Sequence, residues 1–228
     1  MAPPERACLV ERQSSAHYAS LLRRRIPFVF TRWGDGEWEA ILRGEGENCD
    51  GHRYWPEMNR ALRDIVLSRP DYYMGLLKIA RRTYDQEIAA LVPGYRWADG
   101  DALLEDFLAF KAGEFLAELR KRALVYVGPA RLRALEKRLT IPAWVETPLK
   151  NAWTVYPQVL RETLTGVRTV DTVGLSCGPM AKVLAHELHA SHPSLTIIDF
   201  GSMFDGMCGY ETRSYHKGRD WFALGKQL

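Results

Sequence analysis

Cysteine is scarce in this chain. The four cysteines, Cys8, Cys49, Cys177 and Cys208, are widely scattered, and no two of them form a Cys-x-x-Cys pair. This spacing argues against a zinc ribbon or a redox dithiol. Free thiols in a reducing compartment are therefore the expectation.

Long apolar runs are missing as well. No run approaches the roughly 18 residues that a membrane-spanning helix needs. The first residues, Met-Ala-Pro-Pro-Glu-Arg, lack the charged-then-apolar order of a secretory signal. We therefore expect a cytoplasmic protein with no membrane partner.

Charge of one sign does not dominate the sequence. The 228 residues carry 31 Lys and Arg against 28 Asp and Glu. This mild excess permits an acidic partner such as nucleic acid without requiring one, because dedicated DNA-binding domains are usually more basic. The length fits one domain over residues 1–228. Within it we expect a helical segment at about 80–122 and an irregular tail at about 207–228.

Short apolar runs alternate with helical patterns along the chain. This alternation predicts an α/β fold with a Rossmann-like, mostly parallel sheet flanked by helices. One long helix is expected over residues 101–122, because its apolar residues recur on one face, and a basic helix is expected after Pro129. The expected strands are residues 26–33, 72–77, 124–127, 170–175 and 195–200.

A glycine-flanked pair of carboxylates follows the first expected strand, in Arg32-Trp33-Gly34-Asp35-Gly36-Glu37. Open α/β sheets bind ligands at the carboxyl ends of their strands. The glycines allow the backbone to approach a bulky polyanion, and two carboxylates can hold a hard divalent cation. The motif therefore indicates metal-bridged diphosphate chemistry. The alternative is that Asp35 only caps a helix and Glu37 is a first-turn acid, and composition alone favours this alternative.

Two strand-Gly-Pro-helix junctions occur later, at Gly128-Pro129 and Gly178-Pro179. Backbone N–H groups at the start of a helix attract phosphate. In a parallel sheet both junctions would lie along the same edge as the Asp-x-Glu turn.

The order of these blocks resembles the GT-D-type glycosyltransferases. One anchor of the resemblance is Phe30-Thr31-Arg32-Trp33-Gly34-Asp35-Gly36-Glu37. The second is Val173-Gly174-Leu175-Ser176-Cys177-Gly178-Pro179 with the following helix, then Ile198-Asp199-Phe200-Gly201. Two further blocks, Val125-Tyr126-Val127-Gly128-Pro129 and Pro148-Leu149-Lys150-Asn151-Ala152-Trp153, fit in order and spacing. The resemblance thus covers roughly residues 20 to 205.

The resemblance implies a hexosyltransferase that uses a nucleotide-sugar donor, commonly a UDP-sugar such as UDP-glucose. It also implies a divalent metal, Mn²⁺ or Mg²⁺, at Asp35 and Glu37. Compact members similar to this chain, including its Asn48-Cys49-Asp50-Gly51-His52 segment, are those carried by bacteriophages. By that analogy the acceptor is a hydroxymethylated pyrimidine base in phage DNA, and the location is the host cytoplasm.

The donor-binding residues are expected among the motif residues. Arg32 would hold the diphosphate, with Gly34 and Gly36 allowing close approach and the amides beside Gly178 and Pro179 giving a second phosphate contact. Three further residues are expected near the nucleotide or the sugar: Lys150, Asn151 and Asp199. A solvated loop explains Lys150 and Asn151 equally well, and Asp199 is equally consistent with a turn cap.

The acceptor hydroxyl needs a general base if the reaction inverts the anomeric centre. Asp50 and Asp205 are the candidates, with His52 third, although Asp50-Gly51 also has the composition of a plain turn. The tail mixes Tyr210, Tyr215 and Trp221 with basic residues. This mixture suits stacking on nucleic-acid bases, and it suits an ordered C-terminal strap equally well.

Three other functions fit the same residues. The first is a glycosyltransferase with a glycan or glycoprotein acceptor. The second is a hydrolase of nucleotide sugars or phosphoesters that uses the same metal. The third is a non-catalytic module for nucleotide or nucleic-acid binding, in which Asp35 and Glu37 only cap a helix.

Overall fold

A computed structural model describes residues 7–44, 46–48 and 51–228. Within these residues, eight strands form one sheet in the order β1-β4-β3-β2-β8-β7-β5-β6, and all paired neighbours are parallel. The expected parallel α/β sheet is thus confirmed. The strands are β1 (Leu9–Glu11), β2 (Val29–Trp33), β3 (Tyr73–Leu76), β4 (Arg96–Asp99), β5 (Ala123–Gly128), β6 (Thr140–Glu146), β7 (Thr172–Leu175) and β8 (Thr196–Asp199).

Helices cover both faces of this sheet. They are α1 (Ser15–Arg23), α2 (Asp35–Arg43), α3 (Pro56–Ser68), α4 (Lys78–Leu91), α5 (Ala102–Leu108), α6 (Gly113–Arg120), α7 (Tyr156–Gly166), α8 (Met180–Ser191) and α9 (Trp221–Gly225). Among the described residues, no helix combines the length and the apolar character needed to cross a membrane.

Side chains of the central strand β2 alternate between two hydrophobic cores. Val29 and Trp33 pack in the core beneath α2, α3, α4, α7 and α8. Phe30 packs in the opposite core, with α1, α5, α6 and part of the C-terminal tail. All five residues of β2 are buried. This burial on both faces is what a parallel sheet between two helical layers requires.

The prediction of one long helix over residues 101–122 was wrong. The chain forms α5 and α6, and between them Phe110 adopts a left-handed backbone with φ of 59°. Left-handed φ is incompatible with a continuous right-handed helix. Strand β4 also lies inside the expected helical segment at 80–122, and the basic residues after Pro129 form a 3-10 helix, Ala130–Lys137. Strands β1, β4 and β6 were absent from the sequence prediction.

The carboxyl ends of β3 and β4 approach each other through two glycines. A Cβ placed on Gly75 would lie 2.7 Å from Cα of Gly100, and a Cβ on Gly100 would lie 2.5 Å from the carbonyl oxygen of Gly75. Beyond this contact, the N–H of Lys78 donates to Oδ2 of Asp101 at 2.7 Å. The glycine contact therefore brings the start of α4 against the chain after β4.

Replacing Gly75 with alanine should lower the free energy of unfolding by about 1–3 kcal/mol, because the two atoms nearest to the new methyl group, Cα of Gly100 and the carbonyl oxygen of Thr31, belong to the backbone. The matched control is Gly113→Ala at the start of α6, where a Cβ meets nothing within 4 Å. That variant should be unchanged or up to about 1 kcal/mol more stable. Urea unfolding of both variants tests the contact, and equal stability of the two would contradict it.

Candidate active site

A cleft of about 840 Å³ opens at the carboxyl ends of the strands. It lies where the strand order reverses, with β3 and β4 on one side of β2 and with β8, β7 and β5 on the other. Ligands bind at such switch points in open α/β sheets. Nine of the predicted metal- and donor-binding residues line this cleft: Arg32, Gly34, Asp35, Gly36, Glu37, Lys150, Gly178, Pro179 and Asp199.

The Asp-x-Glu turn begins helix α2. The N-cap is Gly34, so the alternative in which Asp35 itself caps the helix was wrong. Glu37 accepts a hydrogen bond from the N–H of Gly34 through Oε2 at 2.9 Å. Asp35 is half-buried, and within the described part of the chain its carboxylate has no hydrogen bond or ion pair. The two carboxylates of the motif are therefore not equivalent.

The second oxygen of Glu37 is occupied by Lys182, a residue that the sequence analysis did not identify. Lys182 Nζ lies 2.7 Å from Glu37 Oε1 and 3.1 Å from Asp199 Oδ2. Lys182 is only 4% exposed. Asp199 also accepts hydrogen bonds from the N–H groups of Arg32 and Gly201, at 3.2 and 3.0 Å. One buried ammonium thus joins α8, the start of α2 and the end of β8.

Electrostatic interactions keep Glu37 and Lys182 charged. Burial by itself would raise the pKa of Glu37, but the charge and hydrogen bond of Lys182 and the N–H of Gly34 hold that pKa below its ordinary value. Burial by itself would lower the pKa of Lys182, but Asp199 and Glu37 raise it above the ordinary range. The sequence signal was a single lysine in the apolar run Met180-Ala181-Lys182-Val183-Leu184.

The residues present fit a divalent cation that is shared with a ligand. Residues 7–44, 46–48 and 51–228 hold no cluster of three or more metal-ligating side chains. Mg²⁺, however, commonly takes one or two carboxylates and completes its shell with water and phosphate oxygens. Asp35, Glu37 and Asp199 carry three negative charges and Lys182 carries one positive charge, which leaves a local charge of −2. Asp35 is the carboxylate of this set whose oxygens face the cleft without a hydrogen-bond partner among the described residues.

Arg32 lies on the floor of the cleft and joins two strand ends. Its Nε donates to the carbonyl of Gly100 and its Nη1 to that of Phe200, both at 3.0 Å. Nη2 lies 3.9 Å from Asp101 Oδ1. Gly201 packs over the guanidinium, and a Cβ there would lie 2.7 Å from Nη1. The guanidinium is therefore fixed in position before any ligand binds.

The residues expected near the nucleotide divide in two. Lys150 lines the cleft, whereas Asn151 is not among its lining residues. Asn151 instead accepts from the N–H of Arg53 at 2.7 Å and donates its own N–H to Nδ1 of His52 at 3.3 Å. The ring of His52 lies against Gly178, 3.0 Å from where a Cβ would be. Asn151 thus holds the segment at 51–53 against the Gly178 turn.

Of the candidate general bases, Asp50 lies outside the described residues. Asp205 is buried, and its Oδ2 accepts from Arg131 at 2.8 Å and from Thr212 at 2.5 Å. Burial raises the pKa of Asp205 despite these donors. The C-terminal tail is attached at the same place, because the Ser202 and Tyr215 hydroxyls lie 2.6 Å apart. The tail consists of short 3-10 turns and α9, and Arg213 and Tyr215 form part of the cleft wall.

Two solved structures share this fold. One is a selenomethionine-substituted structure of domain of unknown function 1792, with a TM-score of 0.68 and 16% sequence identity over 96% of this chain and 83% of that one. The other is described as showing that this highly conserved domain has a distinct glycosyltransferase fold, with a TM-score of 0.66 and 16% identity over the same shares. No protein-family model and no curated protein matches the sequence. The chain therefore has a glycosyltransferase-like α/β fold.

Removal of the buried ammonium should strongly destabilise the protein. Lys182→Met keeps most of the side-chain volume but leaves two buried carboxylates without their cation, so we expect a loss of about 3–5 kcal/mol in the free energy of unfolding. Lys150→Met, at an exposed position on the cleft rim, should change it by less than about 0.5 kcal/mol. Urea unfolding at neutral pH measures both. A loss below about 1 kcal/mol for Lys182→Met would contradict the role of the ion group.

Proposed function

We propose that this protein is a metal-dependent glycosyltransferase, a hexosyltransferase that moves a sugar from a UDP-sugar such as UDP-glucose to an acceptor hydroxyl. The observation that carries the proposal is the meeting of the Asp35 turn with the Gly178-Pro179 turn in one cleft. The glycosyltransferase-like fold supports the same activity. A helix cap or a plain loop would not require a carboxylate and a Gly-Pro turn at a helix start to line the same cleft.

The diphosphate of the donor would lie between these two turns. Helix α8 begins at Met180, directly after Pro179, and its N-terminal end favours negative charge. Gly178 has φ of 65°, a left-handed backbone that glycine adopts without strain. Lys150 lies at the rim on the same side of the cleft and would contact the nucleotide.

Transfer breaks the bond between the anomeric carbon and a diphosphate oxygen, so negative charge grows on the leaving diphosphate. Fixed positive charge aimed at that oxygen lowers the barrier. Arg32 supplies such a charge from the cleft floor, where two carbonyls hold its guanidinium. A bound Mn²⁺ or Mg²⁺ would supply a further positive charge at the diphosphate oxygens. Asp35 would ligate that ion directly and Glu37 through water, because both Glu37 oxygens already have partners.

The proposed acceptor is a hydroxymethylated pyrimidine base in DNA. Basic and aromatic side chains of the tail support this choice. Arg213 and Tyr215 line the cleft. Tyr210 is 41% exposed, and the guanidinium of Arg131 lies 5.4 Å from its ring centroid. Aromatic rings beside cations suit stacking on bases together with phosphate contacts.

The test is UDP release and sugar transfer from a panel of UDP-sugars, with and without Mn²⁺, on duplex DNA that contains 5-hydroxymethylcytosine. Labelled sugar that stays on the DNA, and is lost when the metal is chelated, would support the whole proposal. Metal-dependent UDP release without labelling would keep the transferase and move the acceptor to a glycan or glycoprotein. Absence of both turnover and UDP binding would refute the proposal and favour a binding module.

Asp35→Asn should lower UDP release by at least about 100-fold, because it removes the carboxylate that faces the cleft. It should also weaken Mn²⁺ binding, measured by calorimetry without donor, while thermal unfolding stays near that of the wild type. Glu57→Gln is the matched control, an exposed acid in the first turn of α3, and it should change neither quantity. Full Mn²⁺ binding by Asp35→Asn would refute the metal assignment.

A further inference from the structure

The sequence alone did not identify the residue that removes the proton from the acceptor hydroxyl. Seven described carboxylates line the cleft: Asp35, Glu37, Glu39, Asp101, Glu105, Asp199 and Asp205. Five of them have a partner side chain within 3.5 Å. Glu37, Asp199 and Asp205 have the partners given above, Glu105 pairs with Arg12 and Lys78, and Glu39 contacts Tyr54 and Arg43. Among the described residues, Asp35 has no such partner, and the nearest positively charged side chain to the carboxylate of Asp101 is Arg32, at 3.9 Å.

Asp101 follows β4, and only one of its two carboxylate oxygens accepts a hydrogen bond within the described residues. Its Oδ2 accepts the N–H of Lys78 at 2.7 Å. Its Oδ1 lies 3.9 Å from Arg32 Nη2, too far for a hydrogen bond, and has no hydrogen bond within the described residues. The side chain is 18% exposed. The carboxylate is thus fixed by one oxygen and open to the cleft through the other.

The topology separates Asp101 from two of the proposed donor contacts. Lys150 and the Gly178-Pro179 turn follow β6 and β7, on one side of the switch point. Asp101 follows β4, on the other side, and Asp35 follows β2 between them. The cleft lining near Asp101 in the sequence combines aliphatic side chains with an ion pair: Ile79, Leu104 and Leu108 with Lys78 and Glu105. With the donor bound as proposed, the half of the cleft around Asp101 would stay open for the acceptor.

We propose that Asp101 is the general base of the transfer and that the acceptor binds in the half of the cleft over β3 and β4. This inference rests on the proposed function. The acceptor hydroxyl gives its proton to Asp101 Oδ1 as its oxygen bonds to the anomeric carbon. The bond from that carbon to the diphosphate oxygen breaks, and the electron pair leaves with the nucleoside diphosphate. A single displacement of this kind inverts the anomeric configuration.

The surroundings of Asp101 give the reaction a pH dependence. Burial raises the pKa of Asp101, the N–H of Lys78 and the charge of Arg32 lower it, and Asp99 and Glu105 raise it, with the balance above the ordinary value. A base must be deprotonated to act, so transfer should fall as the pH drops through this raised pKa. The acid limb of the pH profile should therefore lie above the ordinary pKa of an aspartate, about 3.9.

The experiment compares the wild type with Asp101→Asn in the full chain. UDP release from UDP-glucose is measured with Mn²⁺, with 5-hydroxymethylcytosine duplex as acceptor and again with water alone in its place. We expect a loss of about 100-fold or more, the scale of general-base catalysis, and loss of the acid limb. UDP and Mn²⁺ affinities should stay within about twofold of the wild type, because the base acts only in the transition state.

Asp64→Asn is the matched control, since it makes the same change at an exposed position of α3 that is not among the residues lining the cleft. Its UDP release should stay within about threefold of the wild type. Near-normal turnover by Asp101→Asn, or loss of UDP affinity in that variant, would overturn the assignment. Retention of anomeric configuration by the wild type, read by NMR, would overturn it without any variant. A wild type without UDP release from any UDP-sugar would instead refute the proposed function itself.

Discussion

The buried ammonium of Lys182 is the contact on which the geometry of the cleft depends. It lies between Glu37 and Asp199, and so connects α8 to the turn after β2 and to the end of β8. Taking such charges out of water costs several kcal/mol per ion, which only close pairing offsets. The pairing leaves little freedom to any of the three elements. Arg32 adds a second connection at the same depth through its bonds to the carbonyls of Gly100 and Phe200.

This arrangement gives the two carboxylates of one short motif different tasks. Glu37 uses both oxygens within the protein, one on Gly34 and one on Lys182. Asp35 is one helical position beyond the N-cap and faces the cleft. Glu37 thus supports the start of the helix, whereas Asp35 is available to the cleft. Two residues of spacing on the first turn of a helix are enough to direct one side chain inward and the other toward the cleft.

The sequence predicted those parts of the fold that have strong local patterns. Strand β2, the turn after it and the Gly178-Pro179 junction were all placed correctly, because apolar runs and Gly-Pro pairs mark them. Strand β4 has four residues, Arg-Trp-Ala-Asp, and offers no apolar run to detect. The apolar residues of the predicted helix keep one helical period across Phe110, so the sequence pattern did not predict the break there. Asp101 was correctly placed at the start of a helix, since it is the N-cap of α5, but its position beside Arg32 emerged only from the sheet order. Lys182 was missed for a related reason. Its partners Glu37 and Asp199 are 145 and 17 residues away in the sequence.

The ion pairs of Lys182 with Glu37 and Asp199 also help to distinguish a ligand-binding cleft from a sheet edge that is only well packed. Apolar side chains of similar volume often stabilise a protein as well as a buried ion pair does, or better. A helix cap at Gly34 needs one oxygen of Glu37 and no lysine at all. Stability alone therefore gives little reason for a lysine and two acids beneath the turn. Their net charge, together with Asp35, is negative and attracts a divalent cation, while Arg32 on the same cleft floor and the start of α8 carry the positive sign that attracts a diphosphate. Opposite preferences within one cleft are what a metal–diphosphate ligand requires, and a surface selected only for packing has no need of them.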